Sequence, residues 1–295
     1  MPSPEPRTIG EAVEACRLRL RAVSQTPWLD ARLLTQHVTG LDASSVIAYG
    51  DCVLDRIRRK RLLELVERRA SGEPIAYLTG KKSFCGLDIA VDKRVLVPRP
   101  ESEELVLSCV EELRGTSAVV ADVGTGSGAL ACALAHFLPD ATVIATDISA
   151  DALELSRWNA TALGLAEQVL FVHCDLLTEV DASIRFDAIV ANLPYVASGA
   201  GAELAADVRA HEPGVALFGG DDGLDVYRRL FAQAPAHMKP GAALFCEASP
   251  QIAGGLKRVA KDAFPEAAIE VRNDGAGLER ILICRLTQAA RHAAG

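Results

Sequence analysis

Residues 118–137 read AVVADVGTGSGALACALAHF. A short apolar run ends on glycines at 124, 126 and 128, and a stretch rich in Ala and Leu follows. The run predicts a buried strand, and the glycines predict a turn that passes close to a ligand. The Ala/Leu stretch predicts a helix whose first free N–H groups face an anionic group. Asp147 closes the next apolar run, ATVIATD, 23 residues after Gly124. A carboxylate placed there can accept both hydroxyls of a ribose. Gly124, Thr125, Gly126, Ser127 and Gly128 together with Asp147 therefore predict a site for a nucleoside cofactor. GTGSGA also satisfies the dinucleotide fingerprint, so NAD and S-adenosylmethionine both remain open at this point.

Outward from this loop the pattern repeats. Strands are predicted at 118–123, 141–147, 169–175, 186–195 and 241–248, with helices between them, one around 223–237. AIEVRN and LERILICRL flank DGAG and predict a closing hairpin. Such alternation predicts an α/β fold with a mostly parallel sheet covered on both faces. Upstream, residues 8–70 read as helices. Ile9, Val13, Cys16, Leu20 and Val23 recur at helical spacing, Pro27 suits a first turn, and Leu54, Ile57, Leu62, Leu65 and Val66 mark a third long helix. SGEP at 71–74 stops it, and KKSFCGLDIAVD reads as two short strands about Gly86. The chain thus divides into a small helical domain (1–80), a β-hairpin linker (81–97) and an α/β domain (98–295).

The 295 residues carry a net charge of −8, which argues against broad attraction to nucleic acid. Residues 1–88 hold 14 Lys/Arg against 11 Asp/Glu, and residues 89–295 hold 17 against 28, so the two parts are expected to meet different partners. The eight cysteines lie at least 23 residues apart, a spacing that indicates neither a zinc site nor a disulfide framework. The stretch MPSPEPRTIG has no apolar signal core and no apolar run reaches membrane-spanning length, so a cytoplasmic protein is expected.

Two further strand ends carry chemistry. Asp175 ends the third strand, where it can accept a hydrogen bond from an adenine amino group or cap a helix, with Leu176 and Leu177 as an apolar wall. Asn192, Leu193, Pro194 and Tyr195 end the fourth. Pro194 holds Leu193 extended and so fixes the direction of its carbonyl, beside the side-chain oxygen of Asn192. Two converging acceptors suit a planar –NH₂ group, and Tyr195 can cover its plane. A turn in which Asn192 caps its own backbone is the plainer alternative.

NLPY resembles the Asn-Pro-Pro-Tyr hallmark of amino-group methyltransferases. EPIAYLTGKKSF, VLVPRPESEELV, VADVGTGSGALACALA, HEPGVALFGGDDGLDVYRRL and KPGAALFCEA resemble, more specifically, the protein-(glutamine-N5) methyltransferases of peptide chain release factors. The resemblance runs from about residue 28 onward. It implies a class I, Rossmann-like methyltransferase sheet of seven strands behind a helical substrate-docking domain. It also implies S-adenosylmethionine held by Gly124–Gly128 and Asp147, with Asn192 at the junction of cofactor and substrate, and a release factor glutamine gripped by Asn192–Tyr195. Leu193 replaces the family's first proline, and Ser102 stands where the family usually has Thr.

The alternatives left by the residues are adenine N6 or other amine methylation, a non-catalytic nucleoside-binding module, and an NAD dehydrogenase. The last has no recognisable hydride-transfer site. RIRRKR at 56–61 reads as a solvated helix face rather than a steering patch. His173 and His211 read as structural, since methylation of an amide requires no histidine base.

Overall fold

The computed structural model describes residues 6–287. Five helices come first: α1 (Ile9–Leu20), α2 (Pro27–Thr39), α3 (Ala43–Ala48), α4 (Arg56–Ala70) and α5 (Ile75–Thr79). The hairpin β1 (Lys81–Phe84) and β2 (Leu87–Ala90) follows, then α6 (Glu101–Leu113). Next are β3 (Val119–Val123), α7 (Ala129–Phe137), β4 (Thr142–Asp147), α8 (Ala150–Ala162), β5 (Val169–His173) and β6 (Phe186–Ala191). The chain continues through α9 (Ala206–His211), α10 (Asp225–Gln233), β7 (Met238–Glu247), α11 (Ala253–Ala263), β8 (Ala268–Asn273) and β9 (Glu279–Arg285).

Two compact units result. The first holds residues 6–81 and Ala205–His211; the second holds the remaining described residues. Residues 205–211 lie inside the segment that the sequence reading assigned to the α/β domain.

In the first unit, Thr8 and Glu11 exchange side-chain-to-backbone hydrogen bonds in a capping box that starts α1. Asp42 and Asp55 cap α3 and α4 by accepting from first-turn N–H groups, without the reciprocal bond. Ile9, Val13, Cys16, Leu20, Leu62, Leu65 and Val66 are buried together. Val23 and Ile57 are instead exposed, because α1 ends at Leu20 and the first turn of α4 stands clear of the core. Within RIRRKR, Arg58 pairs with Asp55, and Lys60 and Arg61 face Glu64 on an exposed surface. Deeper in, Arg69 Nε donates to Asp30 Oδ2 at 2.8 Å, with both side chains nearly covered.

The second unit is a seven-stranded sheet in the order β5-β4-β3-β6-β7-β9-β8. β3 to β7 run parallel, and β9 is antiparallel to both β7 and β8. The chain builds outward from β3 to β5 and then returns to place β6 on the other side of β3. That reversal is the point at which open α/β sheets bind ligands. Register makes the edge level there: Val123 pairs with both Thr146 and Ala191, so the segments after Gly124 and Asn192 leave the sheet side by side. The strand expected over 186–195 stops at Ala191, before Asn192.

α6 was not read from the sequence. Its buried Ser102, Leu105, Val106, Cys109 and Val110 do follow helical spacing behind Pro100. The helix expected around 223–237 is α10 followed by a tight 3₁₀ turn at Ala234–His237.

Candidate active site

One cavity of about 260 Å³ opens at the level edge of the sheet. Gly124, Thr125, Gly126 and Ser127 line it, with Asp147, Asp175, Leu176, Asn192, Leu193 and Pro194. All ten are expected from the sequence, and the fold brings them together.

The loop is held largely by backbone. Gly124 and Thr125 both donate to the Thr146 carbonyl at 2.9 Å. Gly124 has φ +75°, and a Cβ there would lie 2.9 Å from Leu193 Cδ2, so a side chain at 124 would press on the NLPY segment. Gly128 does not line the cavity. A Cβ at Gly128 would lie 2.8 Å from that of Ser156, so this residue lets α7 start hard against α8.

Asp147 does two jobs. Oδ2 accepts from Gly126 N and Oδ1 from Ser149 N, each at 2.8 Å. Each carboxylate oxygen keeps a further lone pair, so two ribose hydroxyls can still be accepted. Burial raises its pKa, while the N–H groups of Ser149 and Gly126 oppose the rise. Leu130, Ile148 and Leu176 add apolar wall. A carboxylate with spare lone pairs, a glycine loop and an apolar wall fit the nucleoside of S-adenosylmethionine.

Asp175 lines the cavity but is ion-paired to Arg229 on an exposed surface, so one of its oxygens is engaged. Leu177 is not part of the wall: it is buried in the core, and its N–H donates to Gln233 Oε1 at 2.9 Å. Tyr195 does not line the cavity either. The chain turns after Pro194, Val196 N donates to the Leu217 carbonyl at 2.9 Å, and the Tyr195 ring packs against the core. Phe218 supplies the aromatic lining instead.

Several supporting residues escaped the sequence reading. Asp122 is buried beneath the loop, and its Oδ2 accepts from Thr125 Oγ1 (2.6 Å) and Ala131 N (3.0 Å). Burial pushes its pKa up to about 7. Asn159 donates to the carbonyls of Ser127 (2.8 Å) and Ala90 (3.0 Å), tying the loop to β2. Glu212, of the HEPG stretch, accepts from Val97 N (3.2 Å) and Arg99 Nη2 (2.7 Å) and holds Arg99 at the cavity. Of the two histidines, His173 holds the Ile148 carbonyl at 2.9 Å, and His211 ends α9 in the first unit.

Asn192 has the most determined environment. Its Nδ2 donates to Ser102 Oγ and to Glu247 Oε2, both at 2.9 Å. The Ser102 hydroxyl donates in turn to Glu247 Oε2. Oε2 of Glu247 accepts in both bonds, and any proton on this carboxyl sits on Oε1, so the amide nitrogen faces Oε2 and Oδ1 is left as an acceptor on the other side. Leu193 N donates to Tyr227 Oη at 3.3 Å, and that fully buried hydroxyl donates to the Glu247 carbonyl at 2.7 Å. The Leu193 carbonyl lies 3.5 Å from the same hydroxyl, too long to exhaust its accepting capacity.

Among the described residues there is no grouping of His, Cys, Asp and Glu suited to a metal ion, and no helix is long and apolar enough to cross a membrane.

The chain is similar to known proteins over most of its length. The family model described as PrmC N-terminal domain matches residues 11–80, and the Methyltransferase small domain matches residues 101–210. A release factor glutamine methyltransferase of Deinococcus radiodurans is 42% identical over 266 residues, covering 90% of this chain and 93% of its own. One from Rhodopirellula baltica is 38% identical over 264 residues, covering 88% and 89%. The crystal structure of a methyltransferase from Pyrococcus furiosus shares the fold, with TM-score 0.53 and 19% identity over 79% of this chain and 100% of its own. With the glycine loop, the Asp147 carboxylate and the oriented asparagine at one sheet edge, and relatives this similar over this length, the chain belongs to the release factor glutamine methyltransferase family.

Proposed function

We propose that this protein transfers the methyl group of S-adenosylmethionine to the side-chain amide nitrogen of a glutamine in a peptide chain release factor. The observation that carries the reading is the orientation of Asn192, whose N–H groups are spent on Ser102 and Glu247 and whose Oδ1 is left to accept. An amide nitrogen is a poor nucleophile because its lone pair is shared with the carbonyl. Position and charge supply what it lacks. Oδ1 of Asn192 and the carbonyl of Leu193 accept the two N–H groups of the substrate and hold its nitrogen in line, roughly 3–3.5 Å from the carbon it attacks. Both acceptors gain strength as positive charge develops on that nitrogen, so they favour the transition state over the bound amide. The proton leaves afterwards, and no side chain is assigned as general base. Phe218 takes the role of covering the amide plane that the sequence reading gave to Tyr195.

The cofactor supplies the electrophilic methyl group when bound, and Gly124–Ser127 with Asp147 hold its nucleoside. Residues 1–80 act as the docking domain for the protein substrate, 81–97 as the linker and 98–295, apart from 205–211, as the catalytic domain. The decisive experiment incubates the protein with labelled S-adenosylmethionine and purified release factors and locates the methyl by mass spectrometry. Label on one glutamine amide is expected. Label on an adenine of added RNA, with release factors untouched, overturns the reading in favour of the amine-methylating alternative.

A further inference from the structure

Glu247 ends β7 and Ser102 lies in the first turn of α6, yet both meet the Asn192 amide nitrogen, Ser102 at the cavity lining and Glu247 beneath it. Glu247 is 2% exposed and Ser102 is 1% exposed, so neither is held there by solvent. A buried carboxylate is costly unless its lone pairs are used. Oε2 accepts from both partners, and the backbone of the same residue accepts from Tyr227, which also receives Leu193 N. One residue therefore touches the supports of both proposed substrate acceptors.

We propose that Glu247 is the positioning residue of the methyl-transfer step, acting with Ser102 to lock the Asn192 amide so that Oδ1, and not Nδ2, meets the substrate. The inference rests on the assignment of Asn192 as the substrate acceptor. An unconstrained asparagine can present either end of its amide, and the wrong end sets a donor against the donors of a substrate –NH₂. Such an amide repels the group it should hold. The carboxylate removes that choice, and by accepting from Nδ2 it also draws electron density toward Oδ1 and strengthens it as an acceptor.

Glu247 does not approach the reacting atoms itself, so its substitution should act only through Asn192. A double-mutant cycle tests this with an intact release factor as substrate: Glu247→Gln, Ser102→Ala and Asn192→Ala singly, and each of the first two combined with Asn192→Ala. Glu247→Gln keeps the shape but offers Asn192 either an oxygen or a nitrogen. It should lower kcat roughly 10–100-fold, the scale for groups that orient a reacting ligand from behind. Binding of S-adenosylhomocysteine should stay within about twofold of the parent protein. In the Asn192→Ala background the same change should cost almost nothing, because the amide it positions is gone. Ser102→Thr, which keeps the hydroxyl, should retain more activity than Ser102→Ala.

If Glu247→Gln retains the parent kcat, or its loss multiplies fully onto that of Asn192→Ala, the positioning role is wrong while the function stands. If Asn192→Ala alone is fully active, the underlying assignment has failed and the inference falls with it. Should Glu247→Gln fail to fold, the cycle between Ser102→Ala and Asn192→Ala decides the matter by the same criterion.

Discussion

The two walls of the cavity, one proposed to hold the cofactor and the other the substrate, are built by different means. The cofactor wall is the more local: Gly126 and Asp147 are bonded across 21 residues, and a backbone N–H or C=O group takes part in most of its hydrogen bonds. The substrate wall is assembled from afar: Ser102 and Asn192 are 90 residues apart, and Ser102 and Glu247 are 145 apart. Its restraint comes from side chains. A backbone-built wall tolerates change of residue type except where Cβ is forbidden. A side-chain-built wall fails when one polar group is removed, because the partners left behind are buried.

The largest contrast should come from Asn192→Ala, which should slow methyl transfer about 10²–10³-fold, the usual loss of one preorganised polar group. Cofactor affinity should hardly change. Single-turnover kinetics beside calorimetry with S-adenosylhomocysteine check this, and a parallel loss of affinity would erase the distinction between the walls.

Next comes pH. Burial pushes Glu247, on the substrate side, up to about 7, with Ser102, Arg280 and Arg99 opposing and Glu101 reinforcing the rise. Asp122, beneath the cofactor loop, is also pushed up to about 7. Both folded-state values exceed the ordinary carboxylate value, so the native chain keeps protons that the unfolded chain has released. The stabilisation is complete below about pH 4 and is lost as pH rises toward 7, by about 2–4 kcal/mol for each group. Urea unfolding at pH 5 and pH 8 measures it. Glu247→Gln should remove its share of the slope, and an unchanged slope would show that Glu247 is ionised in the fold.

Asp147→Asn should weaken the cofactor by about 1.5–3 kcal/mol, as expected for hydrogen bonds to a charged group. Here the loss belongs in affinity, with kcat at saturating cofactor nearly kept, which is the mirror image of Asn192→Ala.

Gly128→Ala tests the forbidden-Cβ rule. With φ +79° and Ser156 in the way, it should cost stability by about 1–3 kcal/mol, readable as a lower Tm. Smallest is Leu193→Pro, which restores the family's residue but removes the N–H given to Tyr227. A loss of about 1 kcal/mol in stability is expected, with turnover retained if the carbonyl is what matters. A large fall in turnover would show that the leucine side chain itself shapes the substrate wall.

The degree to which each wall could be read from the chain follows from this construction. The positions of Gly124 to Ser127 and Asp147 at the cavity were legible because a strand, a turn and the next strand end are contiguous, and each carries its own spacing rule, whereas Gly128 serves the packing of α7 on α8. Asn192 to Pro194 were legible as a proline stop at a strand end. Tyr195 was misplaced because adjacency in sequence does not say which way a side chain turns once the strand has ended. Leu177 was misplaced for the same reason: Leu176 adopts φ +59° beside it, and the two neighbours diverge into cavity and core. Glu212, Asn159 and Asp122 each had a residue type suited to holding polar groups, but nothing nearby in sequence named what they would hold.

By itself, the sequence determined the alternating α/β order, the helical segment ahead of it, the closing hairpin and the glycine loop, since periodicity and glycine chemistry act over a few residues. Tertiary structure alone decided that 205–211 joins the helical unit and that Phe218, rather than Tyr195, faces the cavity. It alone decided, too, that Ser102 and Glu247 meet at the Asn192 amide nitrogen. Those outcomes depend on strand order and register, which bring distant residues to one sheet edge through the summed burial of the whole core rather than through any local preference.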